Sequence, residues 1–406
     1  MSSRFAGIVR AAILLLPVLP ARAGDAAPDW PHWRGPDRNG VSSETGLETD
    51  WSGGLPVLWK ASVGTGFASF AVSGGRVYTT GNANDTDTVY AFDAATGTAA
   101  WTHAYPCPLD PKYYDGGTSA TPTVDAGKVY TLSKAGHVFC LDAETGKPVW
   151  SRDVSVDPGA KPPTWGFAGS PLVDGPRLIL NVGAAGLCLE KTTGKILWKS
   201  GNGPAGYSTP LPCTIGGRRT VVLFVQKAVV GVDPESGALL WEHPWKTSYD
   251  ANIADPIVAG SEVFISSGYG TGCALLKIEG QAVAEVWRNR NMRNHYSSCV
   301  AWEGHLYGVD NDTGKKNEIR CLDWKTGEVK WAQEGLGCGT IAIAGGRLLI
   351  LGEKGELVLA EASPAGWKAI ARAPILGGRC WTVPVLCGGR LYARNAKGDV
   401  VCVKLK

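Results

Sequence analysis

The stretch VFCLDAETGKPVW, residues 138–150, recurs along the chain with variations. It stands as VYAFDAATGTAAW at 89–101, GLCLEKTTGKILW at 186–198, VVGVDPESGALLW at 229–241 and IRCLDWKTGEVKW at 319–331. The closing tryptophans form a longer series: Trp59, Trp101, Trp150, Trp198, Trp241, Trp287 and Trp331. Their spacing runs from 42 residues (Trp59 to Trp101) to 49 (Trp101 to Trp150). A period of this size marks a repeat architecture.

A second, independent marker keeps the same beat. Glycine turns followed by apolar pairs stand at SGGRVY (73–78), DAGKVY (125–130), DGPRLI (174–179), IGGRRT (215–220), AGSEVF (259–264), EGHLYG (303–308), AGGRLL (344–349) and CGGRLY (387–392). Between the markers, β-branched and aromatic residues alternate with polar ones, and no 3.6-residue period is sustained. Each unit holds about four short antiparallel strands, the pattern of a β-propeller blade. The eight turns predict eight blades. LPVLWKASVG (55–64) is an outer strand without a blade of its own, and VVCVKLK (400–406) ends where an outer strand is wanting. Pairing the two closes the ring and removes the exposed edges. The predicted fold is therefore all-β: an eight-bladed propeller over 55–406, its last blade completed by the N-terminal strand.

In DAETG, Asp142 can accept hydrogen bonds from the amides of its own turn, Gly146 can take positive φ, and Trp150 offers a large flat ring to a neighbour. Asp93, Gly97 and Trp101, then Trp198, Asp233, Trp241, Asp323, Gly327 and Trp331, hold the same posts. All are expected to be structural. The copy at 91–101 resembles the tryptophan-docking motif of the pyrroloquinoline quinone (PQQ) repeat family through Ala91, Asp93, Thr96, Gly97 and Trp101. The fifth copy, LLKIEGQAVAEVW, and the seventh, VLAEASPAGWKAI, are degenerate, with Ile370 near the docking post of the seventh. The resemblance implies one of two branches. One is the quinoprotein dehydrogenases, which hold PQQ and Ca²⁺ at the propeller axis. The other is non-catalytic: the propeller of the outer-membrane β-barrel assembly machinery and exported PQQ-like proteins of planctomycete-type bacteria, whose N-terminal segment is similar to WPHWRGPDRNGVSS (30–43) here. That segment is expected to lie across the propeller.

Adjacent cysteines, which the dehydrogenases usually carry, are missing from the sequence, as are C-x-x-C-H, H-E-x-x-H, P-loop and G-x-S-x-G motifs. A binding or scaffold role is the expectation, with a PQQ-dependent dehydrogenase as the alternative and a carbohydrate-binding module third. The net charge of +3 argues against nucleic acid. Residues 1–23 read as a secretory signal: Arg4 and Arg10, an apolar run at 11–18, and Ala21-Arg22-Ala23 as cleavage site. The run is too short to span a membrane, and no cysteine precedes Cys107 for lipid attachment. An exported, periplasmic or extracellular monomer is expected, with 24–54 packed on the propeller.

Cys140, Cys188, Cys321 and Cys402 occupy the post of Ala91 in their blades. Sheets pack about 10 Å apart, too far for a disulfide, so these are expected to be free thiols. Cys338 and Cys380 start innermost strands near the axis, and their pairing is open. The functional face is expected where outer strands connect to the next inner strand. Asp250, Asn252, Arg288, Arg290, Arg293, His295, Arg379 and Trp381 stand there as candidates. The crowding of arginines in WRNRNMRNHYSS (287–298) suits an anionic ligand, PQQ included, or an acidic protein segment.

Overall fold

The computed structural model describes residues 29–312 and 316–406. The expected signal segment lies outside the described residues. Eight four-stranded antiparallel blades follow one another in chain order, the seventh carrying one extra strand. The first is built of Ala71–Ser73, Arg76–Ala83, Thr86–Asp93 and Ala99–Pro106. The eighth joins Val385–Cys387, Arg390–Arg394 and Asp399–Lys404 to Val57–Ser62 from the start of the chain, with Trp59 opposite Cys402. The ring closes as the orphan strand requires.

The blades are glued by the repeated motif. Each docking indole donates to a carbonyl in the next blade: Trp59 to Ala94 at 3.1 Å, Trp101 to Ala143 at 2.9 Å, Trp150 to Lys191 at 2.9 Å, Trp198 to Pro234 at 3.0 Å and Trp287 to Trp324 at 3.0 Å. The ring lies against the turn glycine of that next blade. A Cβ on Gly146 would sit 2.6 Å from Trp101, and one on Gly194 would sit 2.7 Å from Trp150. The aspartate shapes the turn. Asp142 Oδ1 accepts from Glu144 N, Thr145 N and Thr145 Oγ1. Lys128, 2.9 Å away, and then Thr145 hold this carboxyl down to about 2.

Two posts depart from the pattern, and both for want of a receiving turn. Blade five replaces the motif turn by Glu279-Gly280-Gln281. Trp241, expected to dock there, instead folds back over Gly231 of its own blade, and its Nε1 has no partner among the described residues. In blade eight the third and fourth strands come from distant parts of the chain, so no turn joins them. There Ile370 takes the place of the indole and packs half-buried. Trp331 keeps its bond, to Ser363 O at 2.8 Å, with Trp367 edge-on at 5.6 Å.

Cys140, Cys188, Cys321 and Cys402 form no disulfide, and neither do Cys338 and Cys380. Burial pushes both of those thiols up to about 12, so neither is a thiolate at neutral pH.

Gly146 and Gly280 test the docking account because both have positive φ, 71° and 63°, so an added Cβ strains the backbone of each alike. Nothing lies within 4 Å of the Gly280 position. Gly280→Ala is expected to cost about 1–2 kcal/mol, and Gly146→Ala about 1–3 kcal/mol more from collision with Trp101. Denaturant unfolding of the two variants checks the difference.

Candidate functional site

The inner ends of the blades are laced around the axis. Six of the eight connections into an inner strand carry a small polar residue, in four of them just before a proline: Ser69, Thr121, Ser170, Thr209, Asp255 and Ser298. The backbone N–H of each of the first five donates to the side chain of the next. Ser69 gives to Thr121 at 3.0 Å, Thr121 to Ser170 at 2.9 Å, Ser170 to Thr209 at 3.0 Å, Thr209 to Asp255 at 2.8 Å and Asp255 to Ser298 at 2.9 Å. This belt satisfies buried amides that have left their sheets and fixes the radius of the opening.

Two residues before each belt position, and at Trp381 in the connection into blade eight, a side chain faces a cup of about 230 Å³ on the axis: Phe67, Ser119, Ala168, Tyr207, Ile253, Tyr296 and Trp381. Trp33 from the N-terminal segment also lines the cup, its Nε1 donating to Asp255 Oδ2 at 2.6 Å. That segment crosses the axis from blade to blade. Trp30 pairs with Val72, Pro31 O accepts from Val124 N, Arg34 Nη2 donates to Cys299 O at 2.7 Å, and Val41–Ser42 runs parallel to the inner strand of blade seven. The expected strap is thus a plug, and it closes the cup from beneath.

The wall is a train of rings. Tyr114 meets Phe67 at 5.8 Å, Phe67 meets Trp381 at 5.8 Å, and Trp381 stacks on Tyr296 at 4.1 Å. His295 stands edge-on between Tyr296 at 4.2 Å and Tyr269 at 4.4 Å. Across the cup, Trp165 and Tyr207 lie 6.0 Å apart. Glu353 holds the wall in place: Oε1 accepts from Trp381 Nε1 at 3.0 Å and Oε2 from Cys338 N at 3.1 Å.

Of the residues expected here from sequence, the structure brings His295 and Trp381 to the cup, with Arg379 lying over Trp381 at 4.6 Å and ion-paired to Asp115. The others are elsewhere. Asn252 is buried and tied to the carbonyls of Val225, Gln226 and Trp245. Arg293 is locked to Asp310 and to Asp312, both buried. Arg288 lies over Trp245 at 4.3 Å. Arg290 is exposed and Asp250 sits 4.0 Å from Lys227. The arginines of 287–298 therefore do not converge on the axis. Phe67, Tyr269 and Glu353 complete the site, together with Trp33 from the segment expected to lie across the propeller. The small polar residue before each inner-strand proline was the signal that could have found the belt.

His295 is 4% exposed, and burial pushes its imidazole down to about 4. The unfolded chain takes up this proton near pH 6.5, so unfolding gains a proton between those values and stability falls as pH drops from about 6.5 to 4. The loss from this group reaches roughly 3 kcal/mol. His32, pushed to about 3 by burial and then by Arg38, adds a second such slope. His295→Phe is expected to remove about half of the dependence in thermal melts between pH 7 and 4; an unchanged slope would show that His295 is not buried neutral.

A family model described as outer membrane protein assembly factor BamB matches residues 56–118 and 85–333. Over 137 residues the chain is 31% identical to the quinoprotein alcohol dehydrogenase PedH of Pseudomonas putida, a stretch covering 32% of this chain and 23% of the dehydrogenase. The chain thus spans less than a quarter of that relative's length. Among solved structures, BamB from Moraxella catarrhalis superposes with a TM-score of 0.62 at 16% identity, over 86% of this chain and 100% of BamB. Quinohemoprotein alcohol dehydrogenase from Comamonas testosteroni gives 0.66 at 15%, over 93% and 80%. At these identities the structures speak for the fold. The family model takes in well over half of the sequence, and the chain belongs to the PQQ-like repeat propellers of the BamB family.

Proposed function

We propose that the chain is an exported, non-catalytic binding propeller of the cell envelope, with its ligand seated in the axial cup. The observation that carries this reading is the cup itself: a rigid aromatic wall, closed from beneath by the chain's own Trp33. Such a pocket on a rigid scaffold is the usual form of a small-ligand site. The export expectation at 1–23 supports the location, and no helix among the described residues is long and apolar enough to cross a membrane.

The similarity to PedH favours a second reading, a PQQ-dependent dehydrogenase. The donor set does not fit it. PQQ is a tricarboxylate, and its Ca²⁺ partner needs several oxygen ligands. Asp255 is the carboxylate of the lining, and its oxygens already accept from Thr209 N, Trp33 Nε1 and Ser298 Oγ. Lys112 is the cation of the lining, 3.2 Å from Asp110. Among the described residues no group of three or more His, Cys, Asp or Glu is arranged to hold a metal ion.

Reconstitution with PQQ and Ca²⁺, followed by dye reduction with primary alcohols and sugars, separates the readings. No PQQ-dependent turnover is expected. Turnover that disappears in Asp255→Asn would establish the dehydrogenase. N-terminal sequencing of the protein recovered from the cell envelope is expected to begin at Gly24; a start at the initiator methionine would contradict export.

A further inference from the structure

We infer that the cup takes one neutral pyranose ring, the terminal sugar of an uncharged glycan. This rests on the cup being a binding site, as proposed above, and identifies its occupant by chemistry. The lining has two tiers. Flat carbon comes from Trp381, Tyr296, Tyr207 and Trp165; hydroxyls stand one residue after Trp381 and two after Tyr296, Tyr207 and Ala168, at Thr382, Ser298, Thr209 and Ser170. A pyranose has the matching two-sided character. Its C–H faces pack on aromatic rings, and its hydroxyls donate and accept around the edge.

Charge and polarity exclude the other small-ligand classes. Arg379 is paired with Asp115 and Lys112 with Asp110, so an anion meets no unpaired cation. Both oxygens of Asp255 are engaged, so a cation meets no unpaired carboxylate. A wholly apolar ligand would leave Ser297 Oγ and His295 Nδ1, buried atoms of the lining with no hydrogen-bond partner among the described residues, unsatisfied, which is unfavourable. The cavity of about 230 Å³ is small for a ligand site, which suits a single ring rather than a chain lying across the opening.

The mouth extends the site. Tyr113, which lines the cup, and Tyr249, which contacts Tyr269 of the wall at 5.1 Å, are 101% and 71% exposed. Both have left-handed backbone, φ 65° and 64°. Bulky residues rarely hold that conformation, and packing does not explain it for rings so exposed. Strain of this kind gathers at functional sites. Each offers an exposed ring at the mouth on which the next sugar of the chain can pack.

Tryptophan-fluorescence titration of the full chain with cellohexaose, maltohexaose, xylohexaose and chitohexaose, with oligogalacturonate as the charged control, tests the inference. At least one neutral hexasaccharide is expected to saturate the signal with an affinity that is the same at low and high salt. Trp381→Ala is expected to weaken it about tenfold. Tyr113→Ala, at an exposed position where folding is not at stake, is expected to weaken the hexasaccharide and leave the matching monosaccharide unchanged. If a tyrosine- and proline-rich peptide saturates the signal in a Trp381-dependent way and no neutral glycan does, the cup is a binding site and the glycan inference is wrong. If neither peptide nor glycan binds, both readings fall. Tight, salt-sensitive binding of oligogalacturonate, or neutral binding unaltered in Trp381→Ala, overturns the inference as well.

Discussion

An indole laid on a glycine is the contact from which the rest of this propeller follows. A blade buries one face against each neighbour, and two sheets in face contact can slide. The docking tryptophan removes that freedom. For Trp59, Trp101, Trp150, Trp198 and Trp287 the ring takes a surface without a Cβ, supplied by the turn glycine of the next blade, and the N–H takes a carbonyl in the same turn. Ring and donor together fix the position of one blade on the next. The exceptions obey the same requirement: Trp241 turns back over Gly231 where blade five offers no motif turn, and Ile370 replaces the indole where blade eight has none.

Fixing the outer contacts leaves the inner ends to be satisfied. Eight inner strands converge on an axis too wide to fill with their own side chains. The chain meets this in two ways. The belt from Ser69 to Ser298 ties five of the incoming amides to the neighbouring blade. The N-terminal plug fills what remains, with buried Arg34 giving its protons to backbone carbonyls and Trp33 reaching Asp255. Plug and belt meet at Asp255, so the base of the cup is set by the same contacts that seal the channel. The cup is a by-product of closure on which the connections have placed aromatic rings.

The fold was legible because each blade repeats its own instructions. Turn, strand and docking ring are short-range patterns, and their count together with the unmatched strand at 55–64 was enough to close the ring. The site was legible only in part. The connections singled out in the sequence do line the cup, and His295 and Trp381 stand among its lining residues. The arginines were misleading because charge in a sequence carries no record of its partner. Arg293 finds Asp310 across an interblade connection and a hairpin, and nothing in WRNRNMRNHYSS announces that pairing. Asn252 was misread for a similar reason: it looks like a polar loop residue, yet it caps three carbonyls in a buried corner. Phe67 carries no motif and stands in an irregular stretch, and only the ring closure brings it to one opening with Trp33 of the N-terminal segment.

The docking contact is most directly measured by a double-mutant cycle between Trp150 and Gly194, which belong to adjacent blades. Gly194→Ala places a Cβ 2.7 Å from the Trp150 ring, whereas in a Trp150→Ala background that ring is absent and the collision disappears. The unfolding free energies are therefore expected to be non-additive by at least about 1 kcal/mol, the alanine at 194 costing less when the indole is gone. Additivity within about 0.5 kcal/mol would mean that the two residues do not bear on each other, and that the blades are held by something other than the docked indole.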